Sequence, residues 1–254
     1  VLFPRPLRFL LSRLSAVSDV DKRQEKNSFR QRGRTPQRIP DFDEVRPRLP
    51  IPVLPEELGW QGLYWDAWEA LWKALRQPTA ESGLIAGYNQ PNPGRKINMG
   101  RSALVANLAG YIPGSFKLIE FLDNFYAGQH GDGFICRELD PETGEDVHEP
   151  YEPNSTGPNM MGWTEWRHFR LTGDKDRIAA VFFPLMAYHR WCRANRTWPN
   201  GLYWTTAYAS SLVNQPRVPD GQFHHQHWAW ICLLTSSDAA DERSRGDPGG
   251  RRTI

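Results

Sequence analysis

The chain has 254 residues, 39% of them hydrophobic and 24% charged, which is an ordinary composition for a folded protein of one large or two small domains. No apolar run approaches the length of a membrane span, so we expect no membrane partner. The net charge is +2, but twelve of the 31 Lys and Arg and only six of the 29 Asp and Glu lie in residues 1–50. The rest of the chain is therefore slightly acidic, which argues against a nucleic-acid partner.

The N-terminal part of the chain is predicted to lie outside the folded body. Residues 1–18 resemble a signal peptide, but Arg13 interrupts their apolar part, so we expect a cytoplasmic protein with export as the alternative. Residues 19–38 are polar and basic, and residues 1–38 are predicted to be a disordered basic head. Residues 39–59 are rich in proline and should form an extended segment along the surface of the domain.

Helical periodicity begins at Trp60, where apolar residues recur at positions i, i+3, i+4 and i+7. This pattern predicts an amphipathic helix that Pro78 stops. Pro184 is expected to kink or restart the last of the later helices. These later helices are predicted over residues 102–109, 115–126, 159–171 and 175–192.

A short pattern occurs twice, each time after a predicted helix. Residues 129–138 (QHGDGFICRE) and 197–206 (TWPNGLYWTT) each contain a turn dipeptide, Asp-Gly or Asn-Gly. A few apolar residues follow it and lead into a long loop. Helical hairpins whose long loops lie at the same end stack into a solenoid or a closed ring. No long stretch of the sequence alternates apolar and polar residues, the pattern typical of a β-strand. We therefore predict an all-α fold with strands confined to short pieces in the loops.

Residues 198–231 are dense in Trp, Tyr, Asn and His and have almost no helical period, which favours the rim of a ligand pocket. The alternative is an aromatic connection within the core. Aromatic faces beside amide and guanidinium groups suit a polyhydroxylated ligand, so the predicted partner is a carbohydrate. No phosphate-binding loop of the required spacing occurs, and no cofactor is expected. For His224, His225 and His227 hydrogen bonding is favoured over metal binding, because neighbouring side chains point apart.

Several segments in order carry a family resemblance: residues 122–138, 155–174, 187–204 and 214–231. Over residues 39–231 the chain resembles the (α/α)6-barrel glycosidases of the processing α-glucosidase and mannosylglycerate hydrolase type, which are glycoside hydrolase family 63-like and related to trehalases. The resemblance implies a partial (α/α)6 toroid of helical hairpins over residues 60–231, with long, partly β loops at one end. It also implies glucoside or mannoside substrates and an inverting hydrolysis by two carboxyl groups on either side of a water.

The chain departs from the family pattern where that pattern carries chemistry. The family has a Met-Asp-Asn-x-x-Arg type motif whose Asp is the general acid, but here Val213 occupies that position and cannot donate a proton. A family Trp-Asp pair that holds the sugar corresponds to Gly100 and Arg101. The catalytic base is expected in a later hairpin beyond this chain. Residues 232–254 are predicted to be a disordered tail, with a shifted reading frame as one hypothesis. We therefore assign no catalytic residue.

What remains matches the substrate-binding side of the family. Arg137 and Glu138 fit a Gly-aromatic-Ile-x-Arg-Glu segment. The predicted pocket wall comprises Trp204, Asn214, Gln215, Arg217, His225 and Trp228. A structural hydrogen bond or packing contact is the alternative role for each of these residues.

The resemblance and its departures together predict an incomplete, catalytically impaired glycoside hydrolase-type domain. The alternatives are a non-catalytic carbohydrate-binding protein and a non-functional gene fragment. A partial ring would leave inner helix faces exposed, which predicts self-association.

Overall fold

The computed structural model describes residues 27–34, 37–53, 55–112, 116–157 and 159–197, with shorter pieces at 199, 201, 203–206, 209 and the backbone of 225–227. Its α-helices are α1 Phe42–Val45, α2 Leu58–Lys73, α3 Met99–Ala106, α4 Asp123–Ala127, α5 Met161–Thr172 and α6 Lys175–Asn195. Its strands are β1 Leu75–Arg76, β2 Tyr88–Asn89, β3 Ile97–Asn98, β4 Glu138–Leu139, β5 Trp204–Thr206 and β6 His225–His227. The strands form three antiparallel pairs, β1–β2, β3–β4 and β5–β6.

The fold is mostly helical, as predicted, and the described ranges contain no closed barrel. None of the helices in those ranges combines the length and the hydrophobicity that a membrane span requires. The predicted tail, residues 232–254, lies outside the described residues.

Helix α2 follows the predicted amphipathic pattern over most of its length. Trp68 and Trp72 are buried, and the indole Nε1 of Trp72 donates to the carbonyl of Pro40 at 2.7 Å. Trp60 and Leu63, in the first turns, are exposed. The helix ends at Lys73, before the predicted stop at Pro78, because the chain turns into β1 and pairs with β2.

The prediction of a disordered head is wrong for residues 27–34. Ser28–Gln31 form a 3-10 helix, which the side chain of Asn27 caps. Phe29 is completely buried in the larger hydrophobic cluster, with its ring centroid 5.0 Å from that of Tyr126. A single buried aromatic ring and its polar neighbours therefore hold this segment on the core. Residues 1–26 lie outside the described part of the chain.

The proline-rich segment is helical in part rather than extended throughout. Asp41 and Glu44 form a capping box that starts α1, and the 3-10 helix Arg46–Arg48 follows directly. Val45 and Leu49 are buried in a second hydrophobic cluster that also contains Trp72. The segment thus contributes two buried residues to a core.

The remaining helices follow the predictions with shifted ends. Helix α3 begins earlier than predicted, because Asn98 accepts a hydrogen bond from the backbone N–H of Arg101. The predicted helix over residues 115–126 is a 3-10 helix, Leu118–Leu122, that continues as α4. Gly173, at a φ of +72°, ends α5, and Asp174 caps α6. Pro184 lies inside α6 without ending it, so the helix does not restart at that residue.

Three large apolar side chains of the α5–α6 pair are exposed: Trp166, Leu171 and Phe182. Exposed apolar surface of this kind is typical of interaction sites. The predicted self-association stays a prediction.

A buried ionic cluster joins α4, α5 and α6. The guanidinium of Arg177 donates to both carboxylate oxygens of Glu165, at 2.7 and 2.8 Å, and lies 3.0 Å from Asp123. The hydroxyl of Tyr126 donates to Glu165 at 3.1 Å. Burial raises the pKa of Asp123 from 3.8 to about 6, and it also raises the pKa of Glu165. Arg177 thus pairs with two carboxyl groups that have lost most of their hydration, and the partly exposed Arg32 lies 3.4 Å from Asp123 as a second cation.

The raised pKa of Asp123 predicts a specific pH dependence of stability. The folded protein holds the Asp123 proton more tightly than the unfolded chain does, so stability from this group is present below pH 3.8 and is lost as the pH rises to about 6. The two pKa values, 3.8 and about 6, bound this loss at roughly 3 kcal/mol. Urea unfolding between pH 4 and 7 should therefore give a less negative slope of stability against pH for Asp123→Asn than for the wild type. Equal slopes would contradict the raised pKa.

Candidate functional site

The antiparallel pair β3–β4 builds the centre of the site. Its register places Asn98 opposite Glu138, and the Asn98 amide donates to Glu138 Oε1 at 3.1 Å. The guanidinium of Arg137 donates to the same oxygen at 3.1 Å. His148 Nε2 lies 3.2 Å from the other oxygen, Oε2. The Glu138 side chain is 20% exposed, so this carboxylate is held on three sides and still reaches solvent.

Histidine 148 connects Glu138 to a second acid. Its Nδ1 lies 3.3 Å from a carboxylate oxygen of Glu152, and its Nε2 lies 3.2 Å from both Glu138 and the guanidinium of Arg137. A proton on Nε2 lets the ring donate to Glu138, whereas a bare Nε2 accepts from Arg137. The orientation of the Glu138 carboxylate therefore depends on which ring nitrogen carries the proton.

Arginine 137 is a buried anchor rather than an exposed contact. Its side chain is 7% exposed, its Nε donates to the carbonyl of Asn154, and its backbone N–H donates to the carbonyl of Ser155 at 2.9 Å. Arg137 thus fixes Glu138 to the loop of residues 150–157, and its predicted role in substrate binding stays a prediction.

Tryptophan 204 is the first residue of β5, nine residues after α6 ends at Asn195. Its backbone N–H donates to the carbonyl of Arg196 at 2.8 Å. The guanidinium carbon of Arg196 lies 4.9 Å from the Trp204 ring centroid and 4.8 Å from that of Trp191. One face of the Trp204 indole is thus covered by a cation.

The loop of residues 150–157 joins Arg137 to β5. The carbonyl of Asn154 accepts from Arg137, and its side-chain oxygen accepts from the hydroxyl of Thr206 at 2.6 Å. Gly157 permits a close approach, because a Cβ at this position would lie 2.8 Å from the carbonyl of Ala209 and 3.5 Å from Arg137 Cδ. The structure therefore brings the Arg137–Glu138 pair and the strand of Trp204 into contact with the same loop.

The other predicted site residues are not brought into this arrangement by the described part of the chain. His225 is described only as backbone in β6, opposite Thr206. Val213 lies outside the described residues, as do four predicted wall residues: Asn214, Gln215, Arg217 and Trp228. Their roles in the pocket wall stay predictions.

Four residues of the site were missed by the sequence analysis: Asn98, His148, Glu152 and Asn154. Asn98 stands two residues before Gly100, so the family Trp-Asp position was a signal that could have found it. The other three lie in an aperiodic loop, which gave no such signal.

A separate cleft of about 670 Å³ contains none of the predicted site residues. Its lining includes Arg32, His168 and Arg177, and it is therefore adjacent to the buried ionic cluster. Ion pairs that stabilise the fold account for Arg177 there, and we do not assign the cleft to the carbohydrate.

Comparison with known proteins connects this geometry to a family. The chain is 29% identical over 108 residues to an uncharacterized protein of Borreliella burgdorferi, and the aligned part is 42% of this chain and 23% of that protein. The chain thus spans less than a quarter of the length of this relative. The family model of the mannosylglycerate hydrolase MGH1-like glycoside hydrolase domain matches residues 93–249, which include both Glu138 and Trp204. Since the match covers more than half of its residues, the chain belongs to the MGH1-like glycoside hydrolase family.

Proposed function

We propose that this protein is a glycoside hydrolase-type domain that binds glucosides or mannosides against Glu138 and Trp204 and hydrolyses them poorly. The single observation that carries the proposal is the three-sided support of the Glu138 carboxylate by Asn98, Arg137 and His148. The Trp204 indole, on the strand β5 that contacts the same 150–157 loop through Thr206, would cover the C–H face of a sugar ring.

The carboxylate of Glu138 is suited to accept a hydrogen bond from a sugar hydroxyl. A carboxylate offers roughly four acceptor positions, and the neighbours of Glu138 use up to three of them. The remaining position is available to a ligand at the exposed edge of the group. A carboxylate that rigid neighbours already orient loses little freedom when a sugar binds, which favours affinity.

Weak hydrolysis follows from the residue at the general-acid position. Proton donation by a positioned side chain contributes on the order of 10²–10⁴-fold to a rate, and Val213 has no proton to donate. The proposal includes the (α/α)6 toroid of the family, in which α5 and α6 are one hairpin, and the inverting course of any residual reaction.

Calorimetric titration with methyl α-glucoside and methyl α-mannoside tests the binding part of the proposal. We expect saturable binding by the wild type and about 10- to 100-fold weaker binding by Glu138→Gln, because a hydrogen bond to a charged group contributes roughly 1.5–3 kcal/mol. Glu142→Gln, the same charge change at an exposed turn residue, is the matched control and should bind like the wild type.

A hydrolysis assay with aryl glucosides, aryl mannosides and trehalose tests the second part, and release of sugar should stay near the uncatalysed background. Robust turnover that Glu138→Gln abolishes would contradict the proposal and would make Glu138 a catalytic residue. Absence of binding to every sugar would contradict the carbohydrate site itself.

A further inference from the structure

The ring of His148 lies between two acids, and each of its nitrogens faces one of them. Nε2 is 3.2 Å from Glu138 Oε2, and Nδ1 is 3.3 Å from Glu152 Oε2. The backbone of this histidine is also held, because the thiol of Cys136 donates to its carbonyl at 3.7 Å. Burial raises the pKa of that thiol to about 11, so the thiol stays neutral near pH 7. The ring position therefore suits a group that donates from both nitrogens.

The number of protons on the ring decides which contacts it makes. An imidazolium carries a proton on each nitrogen and donates to Glu138 and Glu152 at once. A neutral imidazole carries one proton, so it donates to only one of the two acids. Its Nε2 also lies 3.2 Å from Nη2 of Arg137, which donates to that nitrogen when it is bare. The neutral form that satisfies both Glu152 and Arg137 is therefore the form that releases Glu138.

The charged groups around His148 are of both signs. Glu138 approaches it from β4 and Glu152 from the loop that follows, whereas Arg137 approaches as a cation that also donates to Glu138 Oε1 at 3.1 Å. Asp146 interacts with the same ring: burial raises the pKa of Asp146, and the charge of His148 is among the influences that lower it. Acids and a guanidinium thus compete for one ring, and its charge decides which of them it binds.

We propose that His148 is a positioning residue of the carbohydrate site, whose imidazolium holds Glu138 in the orientation that accepts a sugar hydroxyl while Glu152 holds the ring. The inference rests on the proposed carbohydrate-binding function and adds a pH dependence to it. Histidine side chains change charge between about pH 5 and 8. Loss of the proton releases Glu138 Oε2, so the affinity for sugar falls as the pH rises through this range.

Calorimetric titration of the full chain with methyl α-glucoside and methyl α-mannoside between about pH 5 and 8 tests the inference. The wild type should bind about 2- to 10-fold more tightly at the acidic end, because a side chain that must be ordered on binding weakens affinity by roughly this factor. Protonation of Glu138 itself would have the opposite sign. His148→Gln, whose amide donates to Glu138 at every pH, should retain binding and lose the pH dependence.

The variant Glu152→Gln tests the link between the second acid and the ring. It removes a negative charge that contacts the imidazolium, so the pH at which the affinity falls should move down by roughly 0.2–0.7 units, as expected for an exposed ion pair. His130→Gln is the matched control, because this exposed histidine pairs with Asp146 at 2.7 Å and not with Glu138. It should leave the pH profile unchanged.

Two outcomes would overturn the inference while the carbohydrate site survives. In the first, the wild type binds sugar equally well across this pH range or more tightly as the pH rises. In the second, the wild-type pH dependence persists in His148→Gln, which would assign it to another group. Absence of binding to both sugars at every pH would instead overturn the proposed function together with this inference.

Discussion

Replacement of Arg177 by methionine should destabilise the protein by about 3–5 kcal/mol, because it leaves two buried carboxyl groups without their shared cation. Arg177 contacts Glu165 at 2.7 Å and Asp123 at 3.0 Å, and all three side chains are at most 8% exposed. Urea unfolding followed by circular dichroism measures the change. The loss should be largest near neutral pH, where the two acids are driven toward their ionised forms.

Two further variants test the cause of this effect. Lys73→Ala removes an exposed pair with Glu69 and should leave the unfolding free energy unchanged within error. Adding Asp123→Asn and Glu165→Gln to Arg177→Met should recover part of the lost stability, since no buried charge is then left without a partner. An Arg177→Met variant as stable as the wild type would show that this cluster does not hold the helices together.

Replacement of Phe29 by alanine should cost about 3–5 kcal/mol, the usual loss for a fully buried phenylalanine. The ring is 0% exposed, packs against Tyr126, and lies under the guanidinium of Arg32 at 4.0 Å from the ring centroid. The same unfolding measurement checks the value. A loss of this size in the free energy of unfolding would show that residues 27–34 belong to the folded body.

The matched control is Ile51→Ala, an apolar truncation at a residue that is 74% exposed. Its expected change is within about 0.5 kcal/mol of the wild type. If Phe29→Ala is equally mild, the head does not contribute to the core and the packing described for it is wrong.

The contrast between α2 and Phe29 shows what the sequence could predict of the fold. Helix α2 repeats its apolar residues with a helical period, and α6 begins at an Asp174 cap, so both were visible locally. Phe29 is one aromatic residue in a polar run. Its burial depends on Asn27, which donates to the carbonyl of Tyr126 at 2.7 Å, 99 residues later in the chain. Such a contact has no local period to reveal it.

The candidate site divides in the same way. Glu138 belongs to a family segment and was predicted, and so was Trp204. His148 and Asn154 contact the Arg137–Glu138 pair only because the loop that contains them folds back over it. Asn98 was not singled out in the sequence, and it meets Glu138 through the register of β3 with β4. Motifs identified the residues, and tertiary pairing determined which of them meet.

A crystal of the protein soaked in methyl α-mannoside tests the central claim most directly. The account predicts difference density for the sugar at Glu138, with a ring hydroxyl within hydrogen-bond distance of its carboxylate and a pyranose face on the Trp204 indole. Sugar bound instead in the cleft beside Arg32 and His168, or an empty Glu138 site at saturating ligand, would contradict it.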